Sequence, residues 1–146
     1  MKKNVKVLLF GSILILFLNG CITSNLQNDP TVINNQDKDS VEFLILQYEK
    51  FTKLVQDLNN SPGLDSDAKT FYYKAQIILS DIENYQVSTQ LKPIKQILID
   101  GIKYWSDGAA CFSNSSICGS DSEAIILLSK GKSKLDEFYS TIENYR

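Results

Sequence analysis

The 146-residue chain is long enough for one globular domain with short accessory segments, and 43% of its residues are hydrophobic and 22% are charged. Its formal net charge of -2 predicts neither a nucleic-acid role nor a basic electrostatic membrane patch. The chain contains no histidine, which removes the usual general base near neutral pH and the commonest metal ligand. These facts argue against an enzyme, and no metal or cofactor is expected.

The first 21 residues have the layout of an export signal. Three lysines within the first six residues precede an apolar run of 12 residues, 7–18, and Cys21 follows two residues later. A membrane-spanning helix needs about 20 apolar residues, so the run is too short for a permanent transmembrane anchor. We therefore expect residues 1–20 to be a cleaved signal peptide.

The end of this leader, Leu18-Asn19-Gly20-Cys21, resembles the lipobox of prokaryotic lipoproteins, with leucine three positions before the cysteine and a small residue directly before it. Asn19 departs from the small or aliphatic residue that is common there. The resemblance covers only the leader, and it implies a lipid anchor on the Cys21 thiol in the cell membrane or outer membrane, with the domain outside the cytoplasm. Two acyl chains hold a protein stably on a bilayer. The alternative is a secretory leader with an incidental cysteine.

The segment after the leader is predicted to be a flexible tether, residues 21–38. It is rich in Asn, Asp and Gln, contains Pro30, and has no sustained hydrophobic period. Its 17 residues after Cys21 would span at most about 60 Å when fully extended. Removal of residues 1–20, which contain three lysines and no acid, would leave 12 basic and 17 acidic side chains and a net charge of -5.

Residues 39–146 contain four segments whose apolar residues recur three and four positions apart, which is typical of amphipathic helices. We expect helices over residues 40–59, 66–86 and 91–112, and a fourth from Ser120 nearly to the C-terminus. Asp39, Asp65 and Ser120 are the predicted N-terminal caps. Because short links force neighbouring helices to be antiparallel, the predicted fold is all-α, an up-down-up-down four-helix bundle.

The apolar stripes of these four segments are the predicted core. In chain order they are Val41, Leu44, Tyr48, Phe51, Val55 and Leu58; Ala68, Phe71, Ala75, Ile78, Ile82 and Tyr85; Leu91, Ile94, Leu98, Gly101, Trp105, Gly108 and Phe112; and Ala124, Leu128, Gly131, Leu135, Phe138, Ile142 and Tyr145.

Two cysteines besides Cys21, Cys111 and Cys118, flank the turn between the third and fourth helices. An exported domain with one such pair is predicted to contain a disulfide. The bridge would staple the turn locally and stabilise the domain by about 2–3 kcal/mol on the chain-entropy model. A redox-active pair is the alternative, although redox motifs usually place the two thiols closer together.

The third helix has an unusual stripe, because Gly101 and Gly108 lie one heptad apart beside Trp105. Glycine costs about 1 kcal/mol relative to alanine inside a helix, so something should compensate. One interpretation is close packing, in which a neighbouring helix approaches at the glycines. The other is a groove beside Tyr104 and Trp105 that admits a small apolar or aromatic ligand.

Two classes of function follow from these features. The first is a non-enzymatic, membrane-anchored envelope lipoprotein whose helical bundle docks a partner protein or another envelope component. The second is a bundle that binds or senses a small ligand in the groove of the third helix. The first is preferred, because the second needs a cavity for which the sequence offers no direct sign.

Overall fold

Four α-helices and a short terminal 3-10 helix form the described part of the chain, which comprises residues 35–61, 64–113 and 120–146 of a computed structural model. The helices are α1 (Asn35–Asn59), α2 (Leu64–Asn84), α3 (Lys92–Ser113) and α4 (Asp121–Ile142), and the 3-10 helix is η1 (Glu143–Tyr145). These described residues contain no strand. The predicted all-α fold class with four helices is therefore confirmed.

Helix α1 begins five residues earlier than predicted, within the last residues assigned to the tether. In the added residues Asp37 is only 5% exposed, whereas Lys38 and Asp39 are exposed. This turn is polar in sequence, and hydrophobic periodicity does not reveal it. Consequently Asp39 lies inside α1 and is not its cap.

Of the two other predicted N-terminal caps, Ser120 is confirmed and Asp65 is not. Asp65 is the second residue of α2, which begins at Leu64, so its assignment as the cap is wrong. Ser120 caps α4, because its Oγ accepts a hydrogen bond from the backbone N–H of Glu123 at 3.3 Å. That hydrogen bond satisfies one of the amide groups that have no partner within the first helical turn.

The core is formed by the predicted stripes. All stripe residues whose side chains are described are buried except Tyr48, Tyr85 and Tyr145, which are partly exposed. A tyrosine often buries its ring while its hydroxyl reaches water. Phe112 lies in a part of α3 whose side chains are not described.

Helix α3 is buried over a wider arc than its stripe predicts. Ile99, Ile102 and Ala109 are at most 5% exposed although they lie beside the predicted stripe. On one side, the Trp105 ring contacts Phe71 of α2 and Phe51 of α1, with centroid distances of 5.6 and 6.3 Å. Helix α3 therefore buries a broad face against its neighbours, while Lys103, Tyr104 and Asp107 remain exposed.

Helices α3 and α4 pack closely along the glycines. A Cβ added to Gly101 would lie 3.0 Å from the Leu135 side chain, and one added to Gly108 would lie 2.8 Å from the Leu128 side chain. Residue numbers thus rise along α3 while they fall along α4. The two leucines occupy the space that larger residues at the glycine positions would need.

The third glycine of this interface comes from α4. A Cβ added to Gly131 would lie 2.7 Å from the backbone nitrogen of Trp105 and 3.0 Å from the carbonyl oxygen of Gly101. These are backbone atoms of α3, which cannot move aside as the tip of a side chain can. The absence of a side chain at Gly131 therefore sets how closely the two helices approach.

The end of α2 is fastened to α3 by one lysine. Lys95 Nζ donates hydrogen bonds to the carbonyl oxygens of Glu83 and Tyr85, at 2.9 and 2.8 Å. A cation at this place satisfies terminal carbonyls and complements the negative end of the helix dipole. The Tyr85 ring also stacks on Phe43 of α1, with centroids 3.8 Å apart.

Replacement of Gly131 by alanine is expected to destabilise the domain by about 2–4 kcal/mol, because the new methyl group meets α3 backbone and forces the helices apart. The measurement is urea unfolding of the wild type and the variant. Ser133→Ala is the matched control, since Ser133 is exposed in the same helix and should change stability by less than about 0.5 kcal/mol. Equal stability of Gly131→Ala and the wild type would contradict this account of the interface.

Candidate functional site

The predicted covalent sites lie largely outside the described residues. Cys21 and Cys118 both do so, whereas Cys111 lies in α3 and is 5% exposed. Lipidation of Cys21 and the pairing of Cys111 with Cys118 therefore remain predictions. The described position of Cys111, near the C-terminal end of α3, is next to the turn that the disulfide would staple.

The predicted groove residues lie in a tightly filled part of the domain. Trp105 is 1% exposed, and the glycine faces are occupied by side chains and backbone of α4. Tyr104 is 37% exposed on the surface, where Lys130 Nζ lies 5.8 Å from its ring centroid. The distances at Gly101 and Gly108 leave no room for a ligand between these residues and α4, and they favour the close-packing interpretation.

A cleft of about 190 Å³ lies between the end of α1 and the start of α2. Within it, the Ser61 hydroxyl donates a hydrogen bond to the Asp67 carboxylate. The cleft is lined by Leu54, Asp57, Leu58, Ser61, Asp67, Thr70, Phe71 and Lys74. Sequence analysis missed this cleft because its lining residues come from two helices, and most of them are polar or charged.

The outer surface of the α1–α2 pair, here called the hairpin face, combines exposed apolar side chains with charged side chains of both signs. Leu46 is 48% exposed, Tyr73 is 69% exposed and Ile77 is 63% exposed. The exposed charged residues around them are the lysines Lys50, Lys53, Lys69 and Lys74 and the acids Glu42, Glu49, Asp57 and Asp81.

The cleft lining shows how the two helices contribute to one surface. Leu54 and Asp57 of α1 line the cleft together with Lys74 of α2, and Lys50 lies one helical turn before Leu54. Asp57 and Asp81 are exposed acids near the two ends of the hairpin face, and Glu42 and Glu49 are exposed acids on α1, four residues before and three residues after Leu46. The exposed lysines and acids of this surface are therefore equal in number.

Three lysines of α3 and α4 form ion pairs within the described residues. Lys103 pairs with Glu83 at 2.8 Å, Lys134 pairs with Glu137 at 2.7 Å, and Lys132 pairs with Asp136. The four lysines of the hairpin face have no ion pair among these residues, and the same is true of Lys92 of α3 and Lys130 of α4.

The described residues contain neither a membrane-spanning helix nor a cluster of metal-binding side chains. Among the described helices, none has the length and apolar composition needed to cross a bilayer. In the same residues, no three cysteine or acidic side chains are grouped as a metal ion would require.

No protein-family model matches the chain, and no significant match to it is found among curated protein sequences or among solved structures.

One buried polar side chain is poorly accommodated. Gln47 of α1 is 2% exposed, and among the described residues its Oε1 has no hydrogen-bond partner. A buried polar group without a partner costs roughly 1–3 kcal/mol in lost solvation.

We expect Gln47→Leu to stabilise the domain by about 1 kcal/mol, because the leucine keeps much of the volume and removes the buried amide. Thermal and urea unfolding would measure this change. Gln56→Leu, at an exposed position of the same helix, is the matched control and should have little effect. A loss of stability in Gln47→Leu would mean that the amide has a role that the structure does not explain.

Tyr48 has a raised pKa. Tyr48 lies against Phe138 and Tyr139 of α4, with ring centroids 5.5 and 5.6 Å apart. Burial, together with the nearby charges of Asp136 and Tyr139, raises the pKa of Tyr48 from 10.0 to about 12.

This shift predicts a loss of stability at high pH. Between pH 10 and 12 the unfolded chain releases the Tyr48 proton while the folded chain retains it, so the free energy of unfolding falls as pH rises. The Tyr48→Phe variant should show a smaller fall over this range in urea unfolding, and its ultraviolet titration should lack one step near pH 12. Identical pH profiles for the two proteins would contradict the assignment.

Proposed function

We propose that this chain is a non-enzymatic lipoprotein of the prokaryotic cell envelope, anchored through Cys21, whose helical bundle acts by contacts on its outer surface. Its partner would be a protein or another component of the envelope. The anchor rests on the leader and its lipobox-like residues. In this proposal the domain is held outside the cytoplasm, on the cell membrane or the outer membrane.

The proposal includes an up-down-up-down arrangement of the four helices. Contacts that support it are the pairs Phe43–Tyr85 and Phe51–Phe71 between α1 and α2, in which one number rises as the other falls. The same ordering relates α2 to α3, where Lys95 reaches Tyr85 and Trp105 reaches Phe71. In such an arrangement the chain enters the bundle at the end where α2 and α4 finish.

The main support for binding at the outer surface is that the interior of the domain is filled at the glycines. Leu135 and Leu128 occupy the notches at Gly101 and Gly108, and Trp105 is 1% exposed. Ligand sites in bundles are usually built between helices, and at α3 this space is taken by packing. Binding of a partner at the outer surface therefore fits the structure better than binding of a small ligand beside α3.

The anchor is tested by intact mass of the protein isolated from membranes, with and without reduction, beside a Cys21→Ser variant. We expect a diacylated chain that starts at Cys21 and gains two hydrogens on reduction of the Cys111–Cys118 bridge. The variant should lack the acyl mass and leave the membrane fraction. An unlipidated soluble product of the wild-type gene would contradict the proposal.

The surface role is tested by native mass spectrometry and by crosslinking in intact cells. We expect crosslinks to a defined envelope component, followed by direct binding of that purified component to the anchored protein. Stoichiometric retention of a small molecule by the purified chain would instead support the ligand-binding alternative and contradict the proposal.

A further inference from the structure

We propose that the cleft between α1 and α2 binds an amino-acid group that carries both a free ammonium and a free carboxylate. This inference rests on the proposed function, because it names the chemistry by which the anchored domain recognises an envelope component. It adds a place and a ligand class: the contact is made at the cleft, and the ligand is zwitterionic.

The cleft presents charges of both signs. Its acidic residues are Asp57 of α1 and Asp67 of α2, and its cationic residue is Lys74 of α2. Among the described residues, Asp57 and Lys74 form no ion pair with each other or with any other side chain. Two charges of opposite sign thus line one cleft without neutralising each other.

These charges decide which ligand fits. A lone anion attracted by Lys74 would also meet the carboxylates of Asp57 and Asp67, and a lone cation would meet Lys74. A group with both an ammonium and a carboxylate can place each of its charges beside one of opposite sign. The cleft therefore matches a zwitterion better than a single ion.

The rest of the lining supplies hydroxyl and apolar groups. Ser61 and Thr70 line the cleft, and the Ser61 hydroxyl donates a hydrogen bond to the Asp67 carboxylate. Leu54 and Phe71 are also part of the lining. They offer apolar surface to the short aliphatic part of an amino acid, while the polar groups orient its charged part.

The volume of the cleft limits the ligand to about one amino acid. Its 190 Å³ equals the liquid volume of about six water molecules, whereas pockets for drug-sized ligands measure roughly 300–1,000 Å³. Because Asp57 and Lys74 are exposed, each ion pair with the ligand contributes little, and a single group binds weakly. A polymer that repeats the group gains affinity through avidity, because many anchored copies contact it at once.

The cleft lies at the end of α1 away from the tether. Asp57 is about 33 Å along the helix axis from Asn35, where α1 begins. In a chain anchored through Cys21, this end of the domain can extend away from the bilayer. The amino-acid groups of a peptide-bearing wall polymer are therefore the expected source of the ligand, and free amino acids are the other source.

The test measures binding of three small probes to the full acylated protein in detergent micelles, followed by the amide chemical shifts of the cleft residues. Alanine carries both charges, alaninamide lacks the carboxylate, and N-acetylalanine lacks the ammonium. We expect alanine to bind with a Kd in the millimolar range, and each of the other two probes to bind about threefold more weakly, as is typical of the loss of one exposed ion pair.

Two variants assign the charges. Lys74→Gln should remove the preference for alanine over alaninamide, and Asp57→Asn should remove the preference for alanine over N-acetylalanine. Lys69→Gln is the matched control, because Lys69 is exposed on α2 without lining the cleft, and it should keep both preferences. Circular dichroism checks that each variant remains helical.

Sedimentation with purified, insoluble wall polymer distinguishes the two sources. We expect the acylated wild type and Lys69→Gln to sediment with the polymer, and Lys74→Gln to do so at least about threefold less. Alanine binding without sedimentation would assign the cleft to free amino acids. The ligand class would then stand, and the surface role in the proposed function would be contradicted.

Three results would overturn the inference. They are equal affinity of the wild type for the three probes, no response of the cleft amides to alanine, and unchanged preferences in Lys74→Gln and Asp57→Asn. Intact mass reports the anchor separately. An acylated protein that does not distinguish the probes contradicts this inference alone, whereas a chain without acyl groups contradicts the proposed function.

Discussion

The close approach of α3 and α4 at three glycines is the constraint on which the rest of the domain depends. Gly131 lies against α3 backbone, and Gly101 and Gly108 receive Leu135 and Leu128. Glycine inside a helix costs roughly 1 kcal/mol relative to alanine, and the dense contacts that the glycines permit offset this cost. Helix α4 covers one side of α3. On another side, Trp105 of α3 packs against Phe51 of α1 and Phe71 of α2.

The packing of α3 against α4 fills the interior of the domain at the glycines. The interior beside Trp105 is occupied by protein. The large apolar side chains that remain exposed are distributed over all four helices: Leu46 on α1, Tyr73 and Ile77 on α2, Tyr104 on α3, and Ile126 and Tyr139 on α4.

Much of the fold follows from the sequence, because period-3.6 stripes locate the helices and nearly all of their buried residues. The glycine heptad in α3 also indicated a close helix contact. Sequence reasoning failed where polar residues are buried by tertiary packing, as at Asp37 and Ser40. It also failed where a feature is assembled from two helices: Leu54 and Lys74 line one cleft, yet nothing in either segment alone indicates the other.

The contacts of α1 have a consequence for how the domain opens. Lys95 joins the α2 end to α3 across only 10 and 12 residues of chain, whereas Tyr48 of α1 and Phe138 of α4 are 90 residues apart in sequence. Contacts between distant residues carry the larger loop-closure entropy and tend to form late in folding. Amide groups of α1 should therefore exchange with solvent through partial openings in which α2, α3 and α4 stay associated, so that α1 is the first helix to detach.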